Sequence, residues 1–574
     1  MMRRMCLTML LLALVAGPTL AQTSDADFVR LSGQFMEEWL ALNPERATEL
    51  GDHRYDGQLS DYSPQGLQKS RELARTYLDR LAALDPSQLS EVNRVDYEIL
   101  NTNLEYALFA LDRLKEHTWN PLAYNPGSAI YSLVARDFAP PEQRAEALAA
   151  RLEAIPRLLE QARGNLLNPP SIHTETAIQQ NKGTVGLVKT VDAFFDDRPE
   201  LQKRLAGPQQ RAASALEEYG RWLEADLLPR SHGDFRLGAE LYREKLRFAL
   251  ESDVEPAQIL KRAEQDLAET HRQLEATARP LFEKFFPGQP VPTGKALTKA
   301  VLDRLAQERP NADTIVKGAR EALQRSTEFT QKHALMTVPT DPIQIMVMPE
   351  FARGVAVAYC DSSGPLEKKP ETFYCIAPPP EDWTPQRVES YFKEYNDYML
   401  ENLTVHEAVP GHYLQLMHAN RFQAPTKLRA IFASGTFIEG WATYTEQLMV
   451  EHGFGGPEVR MQQLKMRLRL ILNAIIDQKV HTAGLSEQEA MRLMLQEGFQ
   501  EEGEAAGKWR RACLTSTQLS TYFVGNLEIN DIRAAYERSR GRNLKEMHDR
   551  MLSYGSPAPK YVKRLMGLEV PRQP

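Results

Sequence analysis

Apolar positions recur every three to four residues over most of this chain, the spacing that gives a helix one buried face. The pattern predicts helices over residues 25–42, 64–84, 88–115, 141–166, 174–195, 208–227, 236–250, 255–284, 295–306 and 312–333. Pro44, Pro64, Pro86, Pro141 and Pro256 fall near predicted helix starts or in linkers, where the missing N–H is tolerated. Near Pro339 the period shortens. Ile343 to Met348, Val355 to Cys360 and Thr372 to Ile376 are short β-rich runs between turn residues, which predicts a small sheet inserted in a helical protein. After Pro378 to Pro380 the helical period returns. Thr384-Pro385 marks a start, and Val388, Tyr391, Phe392, Tyr395, Tyr398, Met399 and Leu403 trace one face leading into His406. Further helices are predicted from about Thr436 to His452 and from Glu458 to Thr482, and Ser486 with Glu489 is a capping-box signature for the next. The predicted fold class is mostly α with a small inserted β-sheet. Residues 22–335 form a helical first region, and residues 336–574 carry the sheet and the helices of greatest chemical interest, within one interleaved unit.

Composition narrows the picture. With 42% hydrophobic and 25% charged residues the 574-residue chain is globular rather than disordered. Met1 to Ala21 reads as an export signal: Arg3 and Arg4, the apolar run Leu7 to Val15, then Thr19-Leu20-Ala21 as a cleavage site. That run is too short to span a bilayer, and no later stretch is long enough, so the expectation is a periplasmic or secreted protein without a membrane span. The formal net charge is −8, and loss of Arg3 and Arg4 makes it more negative. An acidic chain without a basic stretch is a poor partner for nucleic acid. Cys360 and Cys375 each follow a tyrosine and flank a turn-rich loop, which suggests paired strands bearing either a disulfide or two free buried thiols.

The densest chemistry lies in Thr404 to Tyr413, Thr-Val-His-Glu-Ala-Val-Pro-Gly-His-Tyr. In the regular H-E-x-x-H helix, two histidines four residues apart grip one metal ion and the glutamate activates water. Here six residues separate His406 from His412, which on an ideal helix turns the side chains roughly 120° apart. Pro410-Gly411 interrupts the helix between them. Either the helix stops there, or a two-residue bulge swings His412 back beside His406. The bulge is the expectation. A catalytic zinc needs three protein ligands and an open position. His406 and His412 supply two, and Glu439, in Phe-Ile-Glu-Gly-Trp-Ala-Thr-Tyr, is the best third. Glu446, seven residues on and nearly on the same face, either hydrogen-bonds a histidine or replaces Glu439 as ligand. His418 is a competing nitrogen ligand. Glu407 is placed to accept a proton from the attacking water, and Tyr522 and His481 are candidates to stabilise an oxyanion. The strand Thr372 to Ile376 is a candidate open edge for an extended peptide.

These blocks together resemble the bacterial domain-of-unknown-function family 885, grouped with the gluzincin-type zinc peptidases. The His-Glu-Ala-x-Pro-Gly-His block runs from His406 and ends at Gln415, and the Glu-Gly-Trp-Ala-x-Tyr block spans Glu439 to Tyr444. Asn43-Pro44 through Gly51-Asp52-His53, Phe235 to Gly238 with Tyr242, and Thr372-Phe373-Tyr374 resemble further family blocks. In the late block Arg511, Gln518, Tyr522 and Gly525 match, whereas Ala512 and Ser516 replace a tyrosine and a proline. His481 also fits a family position. The resemblance implies a large helical zinc-peptidase-like fold with a deep cleft for short peptides, similar to the angiotensin-converting-enzyme and thimet-oligopeptidase groups. It also implies one Zn2+ ion held by His406, His412 and Glu439, with Glu407 as base. The expected activity is an exported metallopeptidase acting on short peptides. Two alternatives stay open: a metal-dependent enzyme for a non-peptide amide or amine, and a non-catalytic binding protein on the same scaffold.

Overall fold

The computed structural model describes residues 24–252, 254–348, 358–368, 370–379 and 383–568. The expected export signal, the start of the Val355 to Cys360 run and Pro380 lie outside them. The first half is helical: α1 (Asp25–Leu42), α2 (Pro44–Leu50), α3 (Pro64–Ala82), α4 (Glu91–Phe109), α5 (Gly127–Tyr131), α6 (Pro141–Asn165), α7 (Ser171–Thr190), α8 (Pro199–Trp222), α9 (Gly238–Leu250), α10 (Pro256–Phe285), α11 (Gly294–Leu305) and α12 (Ile315–Lys332). Local chemistry sets many of these starts. Ser24 and Asp27 form a capping box on α1, and the Ser63 side chain caps α3 just ahead of Pro64. In α10 the buried positions Ile259, Ala263, Asp266, Thr270, Leu274, Ala278 and Leu281 follow the helical period. One start differs from expectation. The 208–227 segment begins at Pro199, because Leu201 and Leu205 extend the same buried face upstream and Pro208 is accommodated inside the helix.

The predicted sheet is present as β1 (Ile343–Val347), β2 (Ala358–Ser362) and β3 (Thr372–Ile376), in the order β1-β3-β2. β3 pairs in parallel with β1 and antiparallel with β2. This corrects one expectation and decides between the two alternatives for the cysteines. Thr372 to Ile376 is the central strand, so it offers no open edge; among the described strands β2 is an edge. Cys360 pairs with Tyr374, and Tyr359 with Cys375. One step of register puts the two sulfurs on opposite faces of the sheet, and both thiols are free.

The second half holds α13 (Pro385–Glu394), α14 (Asp397–Glu407), α15 (His412–Asn420), α16 (Leu428–Ile431), α17 (Gly435–Glu451), α18 (Gly456–Ala483), α19 (Glu487–Gln496), α20 (Glu502–Leu514), α21 (Ser520–Arg540), α22 (Leu544–Leu552) and α23 (Pro559–Leu565). The single helix expected from Thr384 into His406 is two. It breaks at Tyr395-Asn396, where the Asn396 side chain accepts from Met399 N–H and starts α14 afresh. The Ser486–Glu489 capping box is formed as expected. The largest apolar cluster surrounds α14, α15 and α17, with Tyr374, Phe392, Phe437, Trp441 and Tyr444 among its buried members. α9 and α10 from the first half pack on α18, and α4 meets α16 and α23. Among the described residues no helix is long and apolar enough to cross a membrane.

Candidate metal centre

The interruption after Glu407 is a bulge, and its hydrogen bonds count the extra residues. Ala408 N–H still bonds Thr404 C=O at 2.9 Å, the ordinary four-residue step. Gly411 N–H then bonds Val405 C=O at 2.9 Å, and Leu414 N–H bonds Ala408 C=O at 3.3 Å, both six-residue steps. Two residues are looped out, so six positions of sequence act as four along the helix. Glycine is required at the pinch: a Cβ on Gly411 would lie 1.9 Å from the His406 carbonyl oxygen. Pro410, whose peptide bond with Val409 is cis, offers its carbonyl to the indole N–H of Trp441 at 2.9 Å. Trp441 is completely buried, so the bulge is braced from α17.

The His406 and His412 rings consequently sit 4.6 Å apart, nearly perpendicular. Glu439, in the second turn of α17, points between them. Its Oε2 is 3.7 Å from His406 Nε2 and 3.6 Å from His412 Nε2. Ligands of a single tetrahedral zinc lie about 3.4 Å apart, so this is close to metal-ligand spacing and too long for hydrogen bonds. The buried Oε2 of Glu439 has no hydrogen-bond partner among the described residues, nor has His412 Nδ1. These three residues form the one metal-capable cluster among the described residues, their ligand atoms all within 4.8 Å. The donor set, two imidazole nitrogens and a carboxylate, suits zinc. Burial alone would raise the Glu439 carboxyl, but the two imidazoles outweigh it and hold the group well below the usual carboxylate range.

Glu446 resolves the other open choice. It is 1% exposed, and its Oε1 accepts from His406 Nδ1 at 2.7 Å while its Oε2 accepts from Asn402 Nδ2 at 2.7 Å. It is therefore a hydrogen-bond partner of the histidine and does not take the place of Glu439 in the cluster. The bond puts the His406 proton on Nδ1 and leaves Nε2 free to face Glu439. His418 is remote from the cluster, its Nε2 facing the Thr337 carbonyl at 2.8 Å.

Glu407 sits in the same cleft, and Cys360 N–H of β2 donates to its Oε2 at 3.1 Å. Burial holds the Glu407 carboxyl above its usual range, against the lowering effect of His406 and His412. Tyr522 reaches the cleft from α21 because α17 and α21 cross almost in contact. A Cβ on Gly440 would meet the Gly525 backbone at 2.5 Å, and one on Gly525 would meet the Thr436 carbonyl at 2.1 Å. Arg511 donates to the Tyr522 hydroxyl at 3.0 Å and to Gln518 Oε1 at 2.8 Å. Burial, then the Glu439 charge, push the Tyr522 phenol up to about 12, so it stays a donor at neutral pH.

His481 does not line the cleft. Its Nε2 lies 2.8 Å from Thr515 C=O and 3.1 Å from Ala512 C=O, inside the corner between α20 and α21. Asp477 braces the same corner, accepting from Thr517 N–H at 2.9 Å and from the hydroxyls of Tyr242 and Ser520. The unusual Ala512 and Ser516 are accommodated there, Ser516 Oγ accepting from Lys245 at 2.9 Å. Sequence reasoning missed Asn402, although its position four residues before His406 put it on the same helix face. It also missed Lys508 of α20, a cleft-lining cation that no motif marked.

The fold and site define a helix-dominated protein with a two-histidine, one-glutamate cluster lining a cleft of about 490 Å3. The chain belongs to the bacterial family of proteins of unknown function DUF885, whose model matches residues 44–566. A candidate lipoprotein of unknown function from Shewanella oneidensis is 31% identical, with a TM-score of 0.79 over 94% of this chain and 99% of that one. A candidate lipoprotein from Colwellia psychrerythraea shares the fold at 16% identity, with a TM-score of 0.77 over 95% of this chain and 99% of its own. An M32 carboxypeptidase from Deinococcus radiodurans R1 aligns over 95% and 96% of the two chains, but at 10% identity and a TM-score of 0.42 the likeness supports no conclusion. No protein with a curated description matches the sequence.

Proposed function

We propose that this chain is an extracytoplasmic, zinc-dependent peptidase acting on short peptides. The observation that carries the reading is the unpartnered Oε2 of Glu439, buried between two imidazole nitrogens at 3.6 and 3.7 Å. His406, His412 and Glu439 would hold the ion, which when bound supplies a Lewis acid that polarises a carbonyl and acidifies water. Glu407 takes the proton of the attacking water at a carboxylate oxygen and delivers it to the leaving amine. Its Oε2 is steadied by Cys360 N–H, which aims the carboxylate into the cleft. The Tyr522 hydroxyl donates to the developing oxyanion, and Arg511 and Gln518 hold its phenol in place. Glu446 keeps the His406 proton on Nδ1. His481, spent on two carbonyls, supports the Tyr522 corner rather than touching substrate. Ala358, Tyr359 and Cys360 line the cleft on β2, an edge among the described strands, so an extended peptide laid beside β2 would pass over Glu407. The exported location is supported by the amino-terminal signal and by the candidate-lipoprotein descriptions of two fold relatives.

Metal analysis with a peptide-library digest tests the reading. The expected result is one zinc per chain and cleavage lowered by at least about a thousandfold in Glu407→Gln with zinc retained. Bound zinc without peptide cleavage would redirect the assignment to a non-peptide amide or amine, and a chain that binds no metal would end it.

A further inference from the structure

One wall of the cleft, drawn from α13, α18 and α20, carries as many cations as carboxylates but pairs them unevenly. Arg469, Lys508 and Arg511 all line the cleft, with Glu394, Glu501 and Glu504 as the carboxylates of that wall. Glu394 is committed to Lys465 at 2.9 Å and to Arg469, and it also accepts Glu501 N–H. Glu504 accepts from Tyr395 at 2.9 Å and faces Arg469 at 3.5 Å. Lys508 shares with Arg469 the same Glu504 oxygen, Oε1, at 3.9 Å, although its side chain is only 10% exposed. Arg511, one turn on, has no carboxylate within 4.0 Å among the described residues. It donates instead to the neutral Gln518 and Tyr522.

Lys508 thus has one carboxylate, shared and at the limit of ion pairing, and Arg511 has none within 4.0 Å among the described residues, so the cleft leaves both able to take up an anion. Burial, then the neighbouring Arg511 and Arg469, press Lys508 down to about 7 against the pull of Glu504 and Glu439, which marks a poorly compensated ammonium. The subsite is also close to the chemistry. The Glu439 charge acts on both Lys508 and Arg511, and Arg511 touches the Tyr522 hydroxyl.

We propose that Lys508 and Arg511 form a subsite for a carboxylate of the substrate, on the Tyr522 side of the metal centre. The inference rests on the peptidase reading for its substrate class. The carboxylate comes either from the carboxyl end of a short peptide or from an acidic side chain, and both offer the same two oxygens to a guanidinium and an ammonium. Either source makes the enzyme selective for anionic peptides, and the first makes it cleave near the chain end. Because Arg511 also holds Tyr522, an anion seated there fixes the oxyanion donor as the substrate docks.

The test is binding, so that it does not depend on turnover. Zinc-loaded Glu407→Gln protein is titrated calorimetrically with three tetrapeptides: a neutral-side-chain peptide with a free carboxylate end, the same peptide as its amide, and that amide with one glutamate side chain. At least one carboxylate-bearing peptide is expected to bind about tenfold or more tightly than the neutral amide. In Lys508→Met on that background the ratio falls to near one, and in Lys508→Arg most of it returns. Lys508→Gln provides a second truncation if the methionine variant does not fold. Preference for the free end identifies the main-chain carboxylate, and preference for the glutamate amide identifies a side-chain one. Equal affinities for all three peptides, no binding by any of them, or a ratio that survives both Lys508 truncations overturns the subsite. Selective binding without wild-type cleavage would sink the peptidase reading and leave the subsite standing, whereas cleavage with equal affinities would do the reverse.

Discussion

Replacing Glu446 by glutamine probes the metal centre without touching a proposed ligand. The carboxylate is buried and accepts two hydrogen bonds at 2.7 Å, from His406 Nδ1 and from Asn402 Nδ2. Glutamine keeps the shape but replaces one acceptor oxygen with an NH2 group. Whichever way the amide turns, one of the two donors then faces another donor in a site that water does not reach. Losing a charge-assisted bond of this kind costs about 1.5–3 kcal/mol. If His406 bears that cost, its ring loses the proton position that frees Nε2, and zinc affinity falls by about 10- to 100-fold. The assay is competition for zinc against a chromophoric chelator at neutral pH, with circular dichroism to verify the fold. A folded Glu446→Gln protein whose zinc affinity stays within about twofold of wild type would refute the claim that Glu446 orients His406 for the ion.

The bulge gives a sharper geometric prediction. Gly411→Ala forces a Cβ to within 1.9 Å of the His406 carbonyl, so one histidine must move by about 1 Å, and zinc binding should weaken more than tenfold. A chelator competition curve unchanged from wild type would show that the pinch is not needed. A buried histidine outside the site contributes to the acid limb of stability. His548 is fully buried, with Nε2 at the Tyr444 hydroxyl and Nδ1 at Leu335 C=O, and burial lowers its pKa to about 4. The native state therefore binds fewer protons than the unfolded chain between about pH 6.5 and 4, and stability is lost as pH falls through that window, by up to about 3 kcal/mol from this group. His548→Gln should flatten the pH dependence of the urea midpoint over that range, and an unchanged slope would refute the assignment.

Periodicity found the long helices with most of their ends, because each buries a stripe that follows the helical repeat. It failed where two local rules competed. The apolar face from Val388 to Leu403 is continuous in sequence, yet Asn396 caps a new helix within it, and a side-chain cap leaves no mark on hydrophobic spacing. Likewise Leu201 and Leu205 carried α8 past a proline that reads locally as a start. For the sheet, sequence located the strands but not their order, since a strand's pattern does not say which neighbours it takes. The placement of Thr372 to Ile376 at the centre, and of Cys360 and Cys375 on opposite faces, follows from a register that only pairing defines.

By itself the sequence determined the kind of chemistry available: His406, Glu407, His412 and Glu439 are metal-centre residue types, and Pro410-Gly411 made a regular helix between the histidines impossible. Tertiary structure decided what those residues became. Trp441 and the Gly411 pinch turn the interruption into a two-residue loop, and the Gly440–Gly525 crossing brings Tyr522 from α21 beside Glu439. It also divided the candidates, giving Glu446 to His406, His418 to Thr337 and His481 to the α20–α21 corner. The physical reason is one of range. Residue identity and local spacing act over a turn or two of helix, whereas an ion-sized gap among three side chains depends on how two separate helices approach, and that is set by packing far along the chain.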